Sequence, residues 1–185
     1  MAKRAKNNIT LGSGKPFIME YTAGDLPSIA EICTEEHLLG YSKGGAELSY
    51  TEETYEERDD LGFAAKVVTT TEAALLKLGL LTWNGNTLKY LADRCTVTED
   101  AAKGTRTIKI GGAGNAQGKD WLVCFMHEDK KDGNLYVIVR GRNSVGLTLT
   151  FAVDAGTVIE PEFKALPQDN AGTLITMIED ISTTA

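Results

Sequence analysis

Residues 135–180 read LYVIVRGR (135–142), GLTLTFAVD (146–154), TVIEPEFKALP (157–167) and GTLITMIED (172–180). Turn residues separate the four runs, including a polar Gln168-Asp169-Asn170 tip. Leu147, Leu149, Phe151 and Val153 alternate with Thr148, Thr150, Ala152 and Asp154, the period-2 pattern of a half-buried strand. Tyr136 and Ile138 interleave with Leu135, Val137 and Val139, so that run is apolar on both faces. Short β-branched runs at close spacing, punctuated by Gly, Asn and Asp, predict antiparallel strands in a sandwich or barrel. A lone sandwich has a wet outer face, so strands apolar on both sides lead us to expect burial against other subunits.

A chain of 185 residues suits one well-buried domain. Its hydrophobic content of 42% and charged content of 24% are ordinary for a globular protein. A net charge of −7 and a pI near 4.9 argue against a surface that grips nucleic-acid phosphate broadly. Cys33, Cys95 and Cys124 show no C-x-x-C spacing, which predicts reduced, mostly buried thiols rather than a disulfide framework or zinc site. No apolar run approaches the roughly 20 residues of a membrane-spanning helix, so no membrane partner is expected. The N-terminal stretch MAKRAKNNITLGSGKP is basic without an apolar core segment, unlike a secretory signal. The expectation is a protein kept inside a cell or released by lysis.

Residues 1–16 are polar and Gly-rich and are expected to form a mobile N-terminal arm, with 17–185 a single domain. Phe17–Tyr21 predicts a short strand. Asp25-Leu-Pro27-Ser28 looks like a helix start, with Asp25 able to cap and Ile29, Ile32 and Cys33 as the buried stripe. From Ala46 to Glu53, Ala46, Leu48 and Tyr50 share one face, while Glu47, Ser49, Thr51 and Glu53 share the other. The acidic run Glu52, Glu53, Glu56, Glu57, Asp59 and Asp60, relieved by Arg58, predicts a solvated or protruding hairpin loop before a strand at Ala64–Val68. Thr69-x-x-Glu72 is a capping-box pattern, and it predicts a helix over Ala73–Leu78 ended by Gly79. Leu75 and Leu78, three positions apart, would be the core face of that helix. Asn86–Ala92 fits a helical turn or a strand. Strands are expected at Thr105–Ile110 and Trp121–Met126, with a Gly-rich loop at 111–119 between them.

The residues offer little for catalysis. Gly112-Ala-Gly114-Asn-Ala-Gln-Gly118 has the wrong spacing for a dinucleotide loop and lies between strands. Gly12-Ser-Gly14-Lys15 lacks the first glycine and the hydroxyl of a P-loop. His37 and His127 are the only histidines, and His127 beside Glu128 and Asp129 reads as a strand-end residue rather than a metal ligand. Trp83 and Trp121 read as core or interface aromatics. No enzyme activity, cofactor or metal is expected.

Three stretches carry a resemblance: GGAELSYTEETYEERDD (44–60), TTTEAALLKLGLLTW (69–83) and GTVIEPEFKALPQDNAGTLITMIED (156–180). In size, order and turn chemistry the chain resembles the tail tube (major tail) proteins of long-tailed bacteriophages. The likeness runs from about Gly44 to Glu179, and its most specific part is P-x-F-x-A-x-P with G-T-L, Pro161–Leu174. The segment Pro27–Cys33 lies outside it.

The resemblance implies an antiparallel β-sandwich with one flanking helix, assembled with copies of itself into hexameric rings that stack as a tube. The lumen of such a tube passes DNA during infection without binding it specifically. It implies a virion location, assembly in the host cytoplasm, and tail terminator, tape measure and distal tail proteins as partners. Glu47, Ser49, Thr51 and Glu53 would line the lumen, where negative charge repels phosphate. Glu56, Glu57, Arg58, Asp59 and Asp60 would contact the adjacent ring. The competing expectations are a subunit of a phage-derived contractile injection particle and a surface-binding sandwich module. The latter would need exposed aromatics on one loop face, with Tyr41, Tyr55 and Tyr90 as candidates.

Overall fold

The computed structural model describes residues 9–181. The protein is mainly β, with nine strands among the described residues: β1 (Lys15–Glu20), β2 (Ser42–Arg58), β3 (Ala65–Leu80), β4 (Cys95–Asp100), β5 (Thr105–Ile110), β6 (Trp121–His127), β7 (Leu135–Asn143), β8 (Glu162–Leu166) and β9 (Ile175–Glu179). Two short helices, α1 (Ile29–Ile32) and α2 (Gly85–Leu91), flank them. All pairings are antiparallel. The main sheet runs β1-β6-β7-β8-β3-β2, and β4 with β5 forms a separate ribbon.

β7 changes partner along its length. Leu135–Val139 pair with β9, while Arg140–Asn143 pair with β8. The sheet therefore folds over, and β3 and β6 contribute to one core from opposite sides. Ala74, Leu76, Leu78 and Leu80 meet Trp121, Val123, Phe125, Val137 and Val139 there, with Phe163 between and Leu88 and Leu91 of α2 closing one end. This is the expected antiparallel sandwich with flanking helix.

The two-sided strands are explained within the chain. The odd-numbered residues of β6 face the main core. Leu122 and Cys124, with Tyr136 and Ile138 of β7, form a second core under Ile32, Leu26, Ile29 and Leu38. The segment around α1 is thus a lid over the outer face, and other subunits are not needed to bury β6 and β7. Its helix is a single turn capped by Ser28 rather than Asp25. Glu31 Oε2 accepts from the Ser28 amide at 2.8 Å and from its hydroxyl at 2.7 Å.

Three sequence expectations are corrected. Thr69–Gly79 is not a helix but the middle of β3, paired to β2 over its length and to β8 at Leu75–Lys77. Ala74, Leu76, Leu78 and Leu80 supply a period-2 stripe, and two ladders outweigh one capping signal. Leu78 is buried as expected, but Leu75 lies half-buried on the opposite face. Gly79 serves close approach: a Cβ there would stand 2.0 Å from the Lys43 carbonyl. Second, residues 147–153 form no strand and pair with none. Leu147 and Leu149 rest on the main core, while Phe151 and Val153 are exposed. Third, Lys15 and Pro16 open β1 instead of ending the arm; residues 1–8 of that arm lie outside the described residues.

The undecided segment 86–92 is α2. Asn84 caps it, its Oδ1 accepting from the amides of Asn86 (2.8 Å) and Thr87 (3.2 Å).

Candidate functional site

β2 and β3 outgrow the sheet. β3 meets β8 only at Leu75–Lys77, so beyond Ser49 and Ala73 the two strands pair with each other alone. Every residue from Ser49 to Glu72 is exposed. At about 3.3 Å per residue, Thr51–Arg58 projects roughly 25 Å from the body. The acidic run is therefore mostly strand: Glu56, Glu57 and Arg58 lie in β2, and only Asp59 and Asp60 belong to the tip.

The arm has two faces. Glu47, Ser49, Thr51 and Glu53 share one with Lys77, Leu75, Ala73 and Thr71, as the register requires. All four sequence candidates are exposed, but so is every residue from Ser49 to Glu72 on either face, so exposure does not single this face out. The face is not purely acidic, since Lys77 lies opposite Glu47 and contacts Glu162 at 3.5 Å, and Lys164 lies opposite Leu75. The other face carries Leu48 onto the main core, but Tyr50 is 47% exposed instead of buried. Tyr50 donates to Glu52 at 2.7 Å. That bond, with the charges of Glu52 and Glu72, pushes its phenol up to about 12. Glu52 and Glu72 face each other directly across the ladder.

A bulge sits between Glu53 and Thr54, where Thr70 has no opposite residue and its hydroxyl donates to the Glu53 carbonyl at 3.1 Å. Past it, Tyr55 donates to Glu57, and Arg58 pairs with Glu56 at 2.5 Å. The tip is built by Asp59. Its carboxylate accepts from the amides of Ala64 (2.7 Å) and Leu61 (3.3 Å), and these bonds hold it below the usual carboxylate range. Gly62 takes φ +73° in that turn, a conformation that favours glycine.

Sequence reasoning missed the apolar end. Leu61 is 77% exposed and Phe63 87% exposed at the tip of an otherwise acidic arm. The signal is Leu-Gly-Phe set between Asp60 and Ala64, masked by the charges around it.

The remaining polar clusters are structural. Asp120 accepts from Arg140 Nη2 (2.6 Å) and Arg142 Nε (2.6 Å), and Arg140 also lies 4.2 Å over the Tyr21 ring. Burial would raise the Asp120 carboxyl, but the two guanidiniums hold it low. Buried Gln168 is satisfied on every side: its Nε2 donates to the Ile138 and Leu174 carbonyls, and its Oε1 accepts from Thr176. His127 is buried with Nδ1 3.2 Å from the Ser13 carbonyl, and Glu128 pairs with Lys15. Among the described residues no three His, Cys, Asp or Glu side chains converge as a metal site. The Gly-rich loop at 111–119 is tied internally, Asn115 Nδ2 donating to the Gly111 carbonyl at 2.6 Å.

The aromatics of a binding module do not gather. Tyr41 and Tyr55 stand at opposite ends of the β2 region, and Tyr90 packs edge-on against Trp121 at 4.9 Å. No protein-family model and no curated protein matches this chain.

Proposed function

We propose that this chain is the structural subunit of a phage tail tube, forming stacked hexameric rings whose lumen conducts DNA. The observation that carries the reading is the β2–β3 arm. A two-stranded ribbon exposed along its whole projecting length is marginal by itself in water. Its apolar tip, Leu61 and Phe63, adds surface that a solitary protein leaves unburied. Both features fit an element completed by neighbouring copies. β2 also ends the main sheet with no further strand beside it among the described residues, an edge that ring closure would pair. In this reading Glu47, Ser49, Thr51 and Glu53 face the lumen, and the arm from Glu56 to Asp60 meets the next ring.

The test is negative-stain microscopy of concentrated protein. Rings or tubes of constant diameter are expected. Monomers alone, under every condition that concentrates the protein, would overturn the reading.

A further inference from the structure

Cys33 and Cys124 are two of the chain's three cysteines, and their sulfurs lie 3.9 Å apart. Cys33 closes α1 and is half-buried, whereas Cys124 sits in mid-β6 with no exposed surface. Their positions are 91 apart in the sequence, so the contact joins the lid to the sheet beneath it. The third cysteine, Cys95, belongs to the separate β4–β5 ribbon. We infer that Cys33 and Cys124 form a redox modification site, closing to an intramolecular disulfide that staples the lid to β6.

The environments divide the labour. The contact with Cys124 draws the Cys33 thiol down against the opposing effect of burial. The same contact, together with burial, pushes Cys124 up. Cys33 is the sulfur an outside reagent reaches, and Cys124 is reached only by Cys33. The oxidant is a low-molecular-weight disulfide, RSSR. The Cys33 thiolate attacks it, forming Cys33–S–S–R and releasing one thiolate RS⁻. Cys124 then loses its proton to solvent, and its sulfur attacks that of Cys33, expelling the second RS⁻. Two electrons and two protons leave the protein and appear as two RSH.

A disulfide needs a sulfur separation of about 2.05 Å, so the sulfurs close by about 2 Å. The single turn of α1 can supply that shift, because side-chain packing rather than a ladder holds it in place. The pair stays as thiols in a reducing cytosol and closes outside it.

The test uses the full-length wild-type chain, incubated with oxidised glutathione or with excess dithiothreitol. Oxidation should lower the intact mass by about 2 Da, the two thiol hydrogens. One titratable thiol should remain after denaturation, and a peptide containing Cys33 should be linked to one containing Cys124. The oxidised form should melt about 5–10 °C higher, since the staple closes a long loop. Cys33→Ser, at a half-exposed position, should lose the mass change and the shift in melting. Three thiols after oxidation, a stable glutathione adduct on Cys33, linkage through Cys95, or unchanged melting of the linked form would each overturn the inference.

Discussion

Leu122 and Val123 are consecutive residues of β6, both wholly buried, and they belong to different cores. Val123 faces β3 and α2 across the folded sheet, and Leu122 faces the lid that carries Ile32. Strand alternation sends them apart, and the chain supplies a cover on each side. The two cores should respond differently to truncation. Val123→Ala should lower global stability by about 1–3 kcal/mol. Ile32→Ala should cost about 2–5 kcal/mol locally, so amides of residues 25–39 should exchange early while the ladder β6–β7 stays protected. Hydrogen exchange on the two variants checks this. Equal loss of protection in lid and sheet would mean the lid is not a separate unit.

The strand at Ala65–Leu80 makes its own prediction. Leu76→Ala should cost about 2–5 kcal/mol, and Leu75→Ala under about 1.5 kcal/mol, since Leu76 is buried and Leu75 half-buried on the far face. A helix with Leu75 and Leu78 inward would reverse the order. Urea midpoints of the two variants decide between them.

Acid should act through Asp120. A carboxyl held low in the folded state stabilises above its unfolded pKa, and that stability is lost as pH falls through the folded value. Asp120→Ala should therefore cost about 1–3 kcal/mol at pH 7, leaving Arg140 and Arg142 without their shared anion. The difference from wild type should shrink below about pH 3. Denaturation curves at both pH values measure it, and a pH-independent difference would show that shape, not charge, was lost.

The arm separates folding from assembly. Leu61→Ser with Phe63→Ser should leave the melting temperature within about 1–2 °C, because both side chains are exposed, and on the proposed tube reading should raise the concentration needed for assembly. Sedimentation of wild type and variant checks both halves. Unchanged assembly would remove the tip from the interface.

The face proposed to line a lumen can be probed by charge. Glu47→Lys with Glu53→Lys should fold and assemble nearly normally, since exposed charges contribute little to stability. DNA release from particles built with it should slow, most at low salt, as lysines hold passing phosphates. Normal release kinetics from verified variant tubes would move the wall elsewhere.

What was legible in the sequence depended on whether a segment's own pattern named its partner. β1, β6, β7 and β9 are readable because short, dense apolar runs bounded by turn residues leave few alternatives. The face shared by Glu47, Ser49, Thr51 and Glu53 was readable because alternation needs no partner to be drawn. The stretch 69–79 misled because Thr69-x-x-Glu72 and the Leu75–Leu78 spacing satisfy a helix locally, while the ladders to β2 and β8 that override it are non-local. Residues 147–153 mislead in the opposite way: the alternation is real, but the stretch lies on the main core through Leu147 and Leu149 without joining a ladder. Burial on both faces of β6 was visible, yet its cause was the unassuming segment at 25–39.

The β1–β6 ladder has a consequence for synthesis. Phe17 pairs with Cys124, on the order of a hundred residues downstream, and among the described residues its other backbone pairing is a single bridge to Leu38. A ribosome therefore extrudes the lid and the whole projecting arm before β1 can join the sheet through β6. The open slot beside the first half of β7 is filled later still, by β9. The β2–β3 and β6–β7 hairpins can pair as soon as their second strands emerge, so β1 is the strand that waits longest for its place in the sheet.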